Sequence, residues 1–228
     1  MISRLKRYLY RRLRTSFAKS GEDIQLWQIL GGPRRGVYAD IGSHHPIRGS
    51  NSFFFYLRGW RGVCVDPNPE LPPLYRRLRP GDIFLNEGVA DRPGQLDYYQ
   101  FGESRSNLNT LSEEQVSFLN LPVVGSIPVA VTTLANLFKH VFGGDSSIDF
   151  LSVDCEGMDE AVLRGNDWDI YRPLIVCVET GRPLSENLTS PLGRFMYSKG
   201  YELIGKSVLG PRAPGVGSLF FSREDRTG

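Results

Sequence analysis

From Gly36 onward the apolar positions fall in short continuous runs that alternate with stretches of three- and four-residue spacing. Short runs bounded by Gly and Pro predict buried strands, and the helical period predicts helices with one apolar face. On that basis residues 37–41, 62–66, 83–90, 95–101, 148–153, 174–179, 201–204 and 219–222 read as strands. Helices are predicted at 50–58, 71–78, 133–141, 156–163 and 192–198, with a shorter one at 113–119. Residues 128–131 read as a brief edge strand, where the missing N–H of Pro128 is tolerated. The aromatic face of Phe53, Phe54, Phe55 and Tyr56 is assigned to the core. Strand–helix alternation predicts an α/β fold, a mostly parallel sheet with helices on both faces. Such sheets bind ligands outside the carboxyl ends of their strands, so the residues there carry the functional reading.

Residues 1–19 precede this alternation as a basic arm, and residues 20–228 form one domain. Leu5, Leu9 and Leu13, with Tyr8 and Phe17, recur at helical spacing among seven Lys and Arg residues and no acid. Two roles suit such an amphipathic helix: packing on the domain or a partner subunit, or lying on an anionic membrane surface. The arm also accounts for the formal net charge of +2, because without its seven basic residues 20 basic groups face 25 acidic ones. A domain of that balance offers no basic face to a nucleic acid. No run approaches the roughly 20 apolar residues of a membrane-spanning helix, and no apolar secretion signal opens the chain, so a cytoplasmic protein is expected. Cys64, Cys155 and Cys177 lie in or beside strand runs without metal or disulfide spacing, and are read as free buried thiols.

At the strand ends the residue types become chemical. The first strand ends in Asp40-Ile41-Gly42-Ser43, where the glycine allows a tight turn and close approach of a ligand. The second ends in Asp66-Pro67-Asn68-Pro69, an acid placed to accept hydrogen bonds from both hydroxyls of a ribose. Helix capping is the alternative role, and Asn68 could fill it instead. Asp154 and Glu156 put two carboxylates at the mouth of another buried strand, which is costly unless they are paired, hydrated or metal-bound. Glu179 closes the next strand, whose mouth in a parallel sheet lies near that of Asp154. Asp154 and Glu179 could hold a divalent cation such as Mg2+; a polar rim that orients substrate hydroxyls is the alternative.

The segments Asp40-Ile41-Gly42, Asp66-Pro67-Asn68-Pro69 and Phe150-Leu151-Ser152-Val153-Asp154-Cys155-Glu156-Gly157 together resemble the FkbM family of methyltransferases, over roughly residues 20–204. Similar marks are Gly21-Glu22-Asp23, His44-His45-Pro46, Ser50-Asn51-Ser52, Gly59-Trp60-Arg61-Gly62, Leu108-Asn109-Thr110 and Asn166-Asp167-Trp168. The resemblance implies a seven-stranded Rossmann-like class I methyltransferase fold with S-adenosylmethionine as cofactor. Carried over by position, the turn of Asp40, Gly42 and Ser43 faces the methionine part, Asp66 binds the ribose, and Gly88, Val89 and Ala90 lie beside adenine. Ser50, Asn68 and Asp154 complete the implied cofactor set. His44 stands where many class I enzymes have a second glycine, so cofactor contact there must tolerate side chains. The resemblance is strongest with a subgroup from bacterial polysaccharide clusters, which implies a sugar or glycan acceptor methylated on oxygen.

Transfer to a hydroxyl needs an in-line approach to the sulfonium carbon and a base for the proton. His45 and Asp154 are the favoured pair, with His44 a further candidate; His140, late in a helix, is assigned to the surface. Residues 103–120 are polar and long for a loop, and Arg105, Asn107, Asn109 and Glu156 are expected to bind the acceptor. An NAD-dependent oxidoreductase would need a Gly-x-Gly-x-x-Gly turn, but Ser-His-His-Pro follows Gly42. A non-catalytic module of the same fold would bind cofactor without turning it over.

Overall fold

The computed structural model describes residues 15–32, 35–143, 147–211, 213 and 215–223. The helix expected in the arm falls mostly on residues 1–14, outside the described residues. Helix α1 (Glu22–Ile29) leads into β1 (Val37–Ile41), α2 (Phe53–Leu57), β2 (Arg61–Val65), α3 (Leu71–Leu78) and β3 (Ile83–Leu85). Then come β4 (Gly88–Val89), β5 (Gly94–Gln100), a 3-10 helix (Glu103–Leu108), α4 (Glu113–Leu119), β6 (Gly125–Thr132) and α5 (Leu134–Phe142). Strand β7 (Phe150–Val153), α6 (Asp159–Arg164), β8 (Ile175–Thr180), α7 (Leu184–Asn187), α8 (Pro191–Ser198), β9 (Tyr201–Lys206) and β10 (Gly217–Arg223) follow.

Seven strands form one sheet in the order β3-β2-β1-β7-β8-β10-β9. The first five run parallel, and β10 is antiparallel to both β8 and β9. This is the mostly parallel, Rossmann-like sheet expected from the strand–helix alternation. Both of its faces are covered, and the alternation of side chains along β1 shows how. Ala39 and Ile41 join an aliphatic cluster with Val63, Val65, Leu151, Val153 and α5, while Tyr38 joins an aromatic one with Phe54, Phe55, Trp60 and Phe150. Phe53, Phe54 and Phe55 are all buried, so the aromatic face of α2 is core as expected.

Four of the expected elements differ in the structure, and α1, the 3-10 helix and α7 form where none was expected. The run 83–90 is two strands, because the Asn86 side chain donates to the carbonyls of Asp66 (2.8 Å) and Asn68 (2.9 Å). Beyond that clamp β4 joins a second sheet, β4-β6-β5. Residues 128–131 are the middle of that sheet, yet Pro128 pairs only with Asp97 of β5, since β4 reaches no further than Val131 and Thr132. The helix expected at 50–58 is shorter because Ser50 turns the chain, its hydroxyl accepting from the Phe53 amide at 3.1 Å. The helix expected from 156 begins at Asp159, whose carboxylate accepts from the amides of Cys155 (2.9 Å) and Gly157 (3.3 Å) and holds residues 155–158 as a loop.

Candidate active site

Strand register decides where the chemical residues meet. Ile41 lies level with Val65 on one side and Val153 on the other, and Val153 with Val178. Gly42, Asp66, Asp154 and Glu179 each come one residue later, so all four leave the sheet at the same edge. The chain is stitched there by backbone bonds, Gly42 N–H to the Val65 carbonyl (2.9 Å) and Asp154 N–H to that of Ile41 (3.0 Å). Gly42 has a φ of 74°, and a Cβ on it would come within 1.9 Å of the Asp154 carbonyl oxygen, so only glycine fits.

The ends of β1, β2 and β7 open on a cleft with about 820 Å³ of empty space, its mouth included, whereas Glu179 lines the adjoining groove. Asp40, Gly42, Ser43, His44, Ser50, Asp66, Gly88, Val89, Asp154 and Glu156 line its floor and sides. The second sheet and the segment after it form the opposite wall with Tyr98, Ser106, Asn107, Asn109, Thr110 and Leu111. Asn68, Ala90, Arg105 and His45 are not among the lining residues. Asn68 is buried behind Asp66, and its side chain accepts from the Glu70 amide (3.0 Å). The Ala90 amide is tied to the Thr132 carbonyl (2.9 Å), and Arg105 is exposed. His45 lies off the cleft: its Nδ1 accepts the amides of Ile47 and Arg48, both at 3.1 Å, and so braces the turn.

His44 takes the place in the cleft. Its left-handed backbone (φ 41°) is held by an amide bond to Asp66 Oδ2 (2.9 Å), and its Nε2 meets Ser106 Oγ at 3.2 Å. Burial and then the Lys19 ammonium lower its pKa below the ordinary imidazole value, keeping the ring neutral near pH 7. Asp66 uses one oxygen on the His44 amide and the other on that of Asn68 (2.9 Å), leaving each oxygen room for a further donor. Burial pushes its pKa up to about 6. Asp40 accepts from Ser52 and is raised by burial as well.

Behind this wall lies a fully buried ion pair, Arg79 Nε to Asp82 Oδ2 at 2.7 Å. The same guanidinium donates to Ser52 Oγ (2.9 Å), Ser50 Oγ (3.2 Å) and the Tyr38 hydroxyl (2.9 Å). Arg79 thus anchors Ser52, which donates to Asp40, and the neighbouring Ser50. No sequence motif marked it, because a lone Arg after a helix reads as surface.

Ligand-capable oxygens of Asp154, Glu156 and Glu179 all lie within 4.8 Å of one another. Burial and repulsion from Asp154 raise the pKa of Glu156 to about 8, and burial with Asp154 and the other acids raises Glu179 to about 10. Lys19 supplies the counter-charge, its ammonium 3.1 Å from Asp154 Oδ2, while Oδ1 of Asp154 is buried without a partner among the described residues. The sequence reading missed Lys19 by counting it with the arm. Its neighbours Phe17, edge-on to Phe53 at 4.9 Å, and Ala18, bridged to Gly49, fix it against the domain.

Residues 40–203 match the methyltransferase FkbM domain. The chain belongs to the FkbM methyltransferase family. No curated protein matches it by sequence. Among solved structures it is similar to the 1,6-didemethyltoxoflavin-N1-methyltransferase of Burkholderia thailandensis, with 14% identity, 91% of this chain and 78% of that one covered, and a TM-score of 0.48. It is also similar to fibrillarin of Aeropyrum pernix (13% identity, 87% and 73% covered, TM-score 0.44) and to an O-methyltransferase of Bacillus cereus (12%, 97% and 81%, 0.39). Among the described residues, no helix is long and apolar enough to cross a membrane.

Proposed function

We propose that this FkbM-family protein transfers a methyl group from S-adenosylmethionine to a hydroxyl of a sugar or similar polyhydroxylated acceptor. The observation that carries the reading is the convergence of Gly42, Asp66 and Asp154 on one cleft. The donor set fits the cofactor. Asp66 has acceptor capacity for two ribose hydroxyls, Val65, Val89 and Leu111 offer apolar walls to a purine, and Asp40 and Asp154 put negative charge where a sulfonium would lie. Bound there, the cofactor would supply an activated methyl group. His44 is assigned the proton of the attacking hydroxyl, since it is the neutral imidazole lining the cleft, and Ser106 orients its ring. Asn107, Asn109 and Glu156 line the cleft as acceptor contacts, and the Asn109 side chain also accepts the Phe101 amide at 2.9 Å. Asn68 and Ala90 support the cofactor residues without lining the cleft.

Calorimetry with S-adenosylmethionine and NAD tests the reading. Micromolar-range binding is expected for the first alone, weakened by about 1–3 kcal/mol in Asp66→Ala, the scale of hydrogen bonds to a charged acceptor. Tight NAD binding, or an unaffected Asp66→Ala variant, would overturn it. Cofactor binding with no turnover on any hydroxylated acceptor would instead mark a non-catalytic module. A divalent cation such as Mg2+ is the second reading, favoured by the 4.8 Å grouping of three carboxylates, and it would have to displace Lys19 from Asp154. Turnover lost on chelation and restored by Mg2+ would establish it; unchanged turnover assigns the counter-charge to Lys19.

A further inference from the structure

Among the described residues, Lys19 and Arg48 are the two Lys or Arg side chains that line the cleft, and Lys19 lies outside the matched residues 40–203. The charge of Arg48 acts on His45, off the cleft, whereas that of Lys19 acts on His44, within it. The local chain is built to present Lys19. The Glu22 carboxylate accepts the Ser20 amide (2.8 Å), and that of Asp23 accepts the Phe17 amide and the Ser16 hydroxyl, both at 2.7 Å. Both acids are buried, so Gly21-Glu22-Asp23 brackets the backbone on each side of Lys19. The ammonium meets Asp154 where the cleft joins the larger groove beside α4, and both residues line both spaces. Burial and neighbouring acids keep Glu156 and Glu179 protonated near neutral pH, so the charged pair at this point is Lys19 with Asp154. An ammonium carries three donors, and 37% of the Lys19 side chain is exposed, so a second acceptor can reach it.

We propose that the Lys19–Asp154 pair reads the amino-acid end of S-adenosylmethionine, Lys19 taking the α-carboxylate and Asp154 the α-ammonium. The inference rests on the reading of the chain as an S-adenosylmethionine-dependent methyltransferase, and it gives a cofactor contact to a residue outside the family domain. Asp66 and Asp154 follow β2 and β7, the strands on either side of β1, so the ribose acid and the pair stand two strand spacings apart, ~10 Å, across Gly42. In the cofactor, C5′, the sulfur and two methylenes bridge the gap between ribose and α-carbon. That carbon carries one group of each sign. A zwitterion laid beside an ion pair in opposite order satisfies all four charges, whereas a lone ammonium would leave Lys19 facing a like charge. Lys19 is thus a specificity-determining residue, selecting the amino-acid-bearing cofactor over ligands that share its nucleoside.

The test is calorimetry on the full chain with three probes. They are S-adenosylhomocysteine, its decarboxylated analogue, which keeps the ammonium, and 5′-methylthioadenosine, which lacks both charges. The wild-type chain is expected to bind S-adenosylhomocysteine about tenfold more tightly than the decarboxylated analogue, the scale of a charge-assisted hydrogen bond. In Lys19→Met that ratio should fall to about twofold or less, with 5′-methylthioadenosine bound as before, because only the carboxylate has lost its partner. Lys19→Arg keeps a cation and should preserve most of the ratio. Every other pattern overturns the proposal. If Lys19 merely neutralised Asp154, Lys19→Met would strengthen both ammonium-bearing probes alike. If it merely braced the fold, all three probes would weaken together. In either case the ratio stays where it was. No binding of S-adenosylhomocysteine by the wild-type chain would overturn the proposed function as well, whereas an unchanged ratio beside intact binding counts against the Lys19 contact alone.

Discussion

His44 and His45 are adjacent and chemically identical, yet the fold gives them different surroundings. His45 spends Nδ1 on two amides, so its lone pair is withdrawn from chemistry, and a proton there would break the turn. His44 adopts φ 41° and swings its ring to Ser106, with burial and Lys19 keeping it neutral. A base works in its unprotonated form, so kcat/KM should hold through neutral pH and fall only as pH drops below the ordinary imidazole range. His44→Asn should lower kcat by about 10²–10⁴-fold, the usual weight of a general base, and abolish that acid limb. His45→Asn should leave the limb in place. A pH profile of the two variants checks the assignment, and an acid limb surviving in His44→Asn would move the base elsewhere. Such a distinction was out of reach of the sequence, in which both histidines follow the same glycine.

Among the elements, the break in the run 83–90 and the buried pair after α3 matter most. Asn86 ends β3 and sends β4 into the second sheet, which is how Gly88 and Val89 come to line the cleft. A Cβ on Gly88 would lie 2.7 Å from Leu111 and Val131, so β4 lies against β6 and Leu111 closely enough to favour a glycine. Arg79 ties α3 to β1 and to the Ser50–Ser52 turn. Arg79→Met should destabilise the fold by about 3–5 kcal/mol in urea unfolding, because it leaves the Asp82 charge buried and unpaired. Double replacement with Asp82→Asn should recover part of that loss, and strict additivity of the two would argue against the pairing. The aromatic side of the sheet was legible from the run Phe53–Phe55; the polar network beneath it was not.

For the whole molecule, the acid cluster makes stability depend on pH. Glu156 and Glu179 have folded pKa values near 8 and 10, above the ordinary carboxylate range, so the folded chain holds protons that the unfolded chain releases. Stability should therefore be greatest at mildly acidic pH and decline as pH rises from the ordinary Glu range through those values. Thermal unfolding followed from pH 6 to pH 9 should show a falling Tm, and Glu179→Gln should flatten the slope. A Tm that rises over that interval would show that the cluster is paired or metal-filled in solution. Lys19 works in the same direction at higher pH, since Asp154 raises its pKa and deprotonation would remove the counter-charge.

Periodicity and residue type were enough, without coordinates, to specify a parallel α/β sheet, both faces buried, with Gly42, Asp66, Asp154 and Glu179 closing its strands. Those features are local: a strand's length, its burial and the residue that ends it depend on near neighbours along the chain. The family followed from the same residues in order. Tertiary structure alone decided which histidine enters the cleft, that Lys19 reaches Asp154 across 135 positions, and that Arg79 is buried. It also opened the groove beside α4. The reason is that each depends on side chains meeting from distant elements, where strand register and a few turn hydrogen bonds set the outcome and sequence spacing carries no record of it.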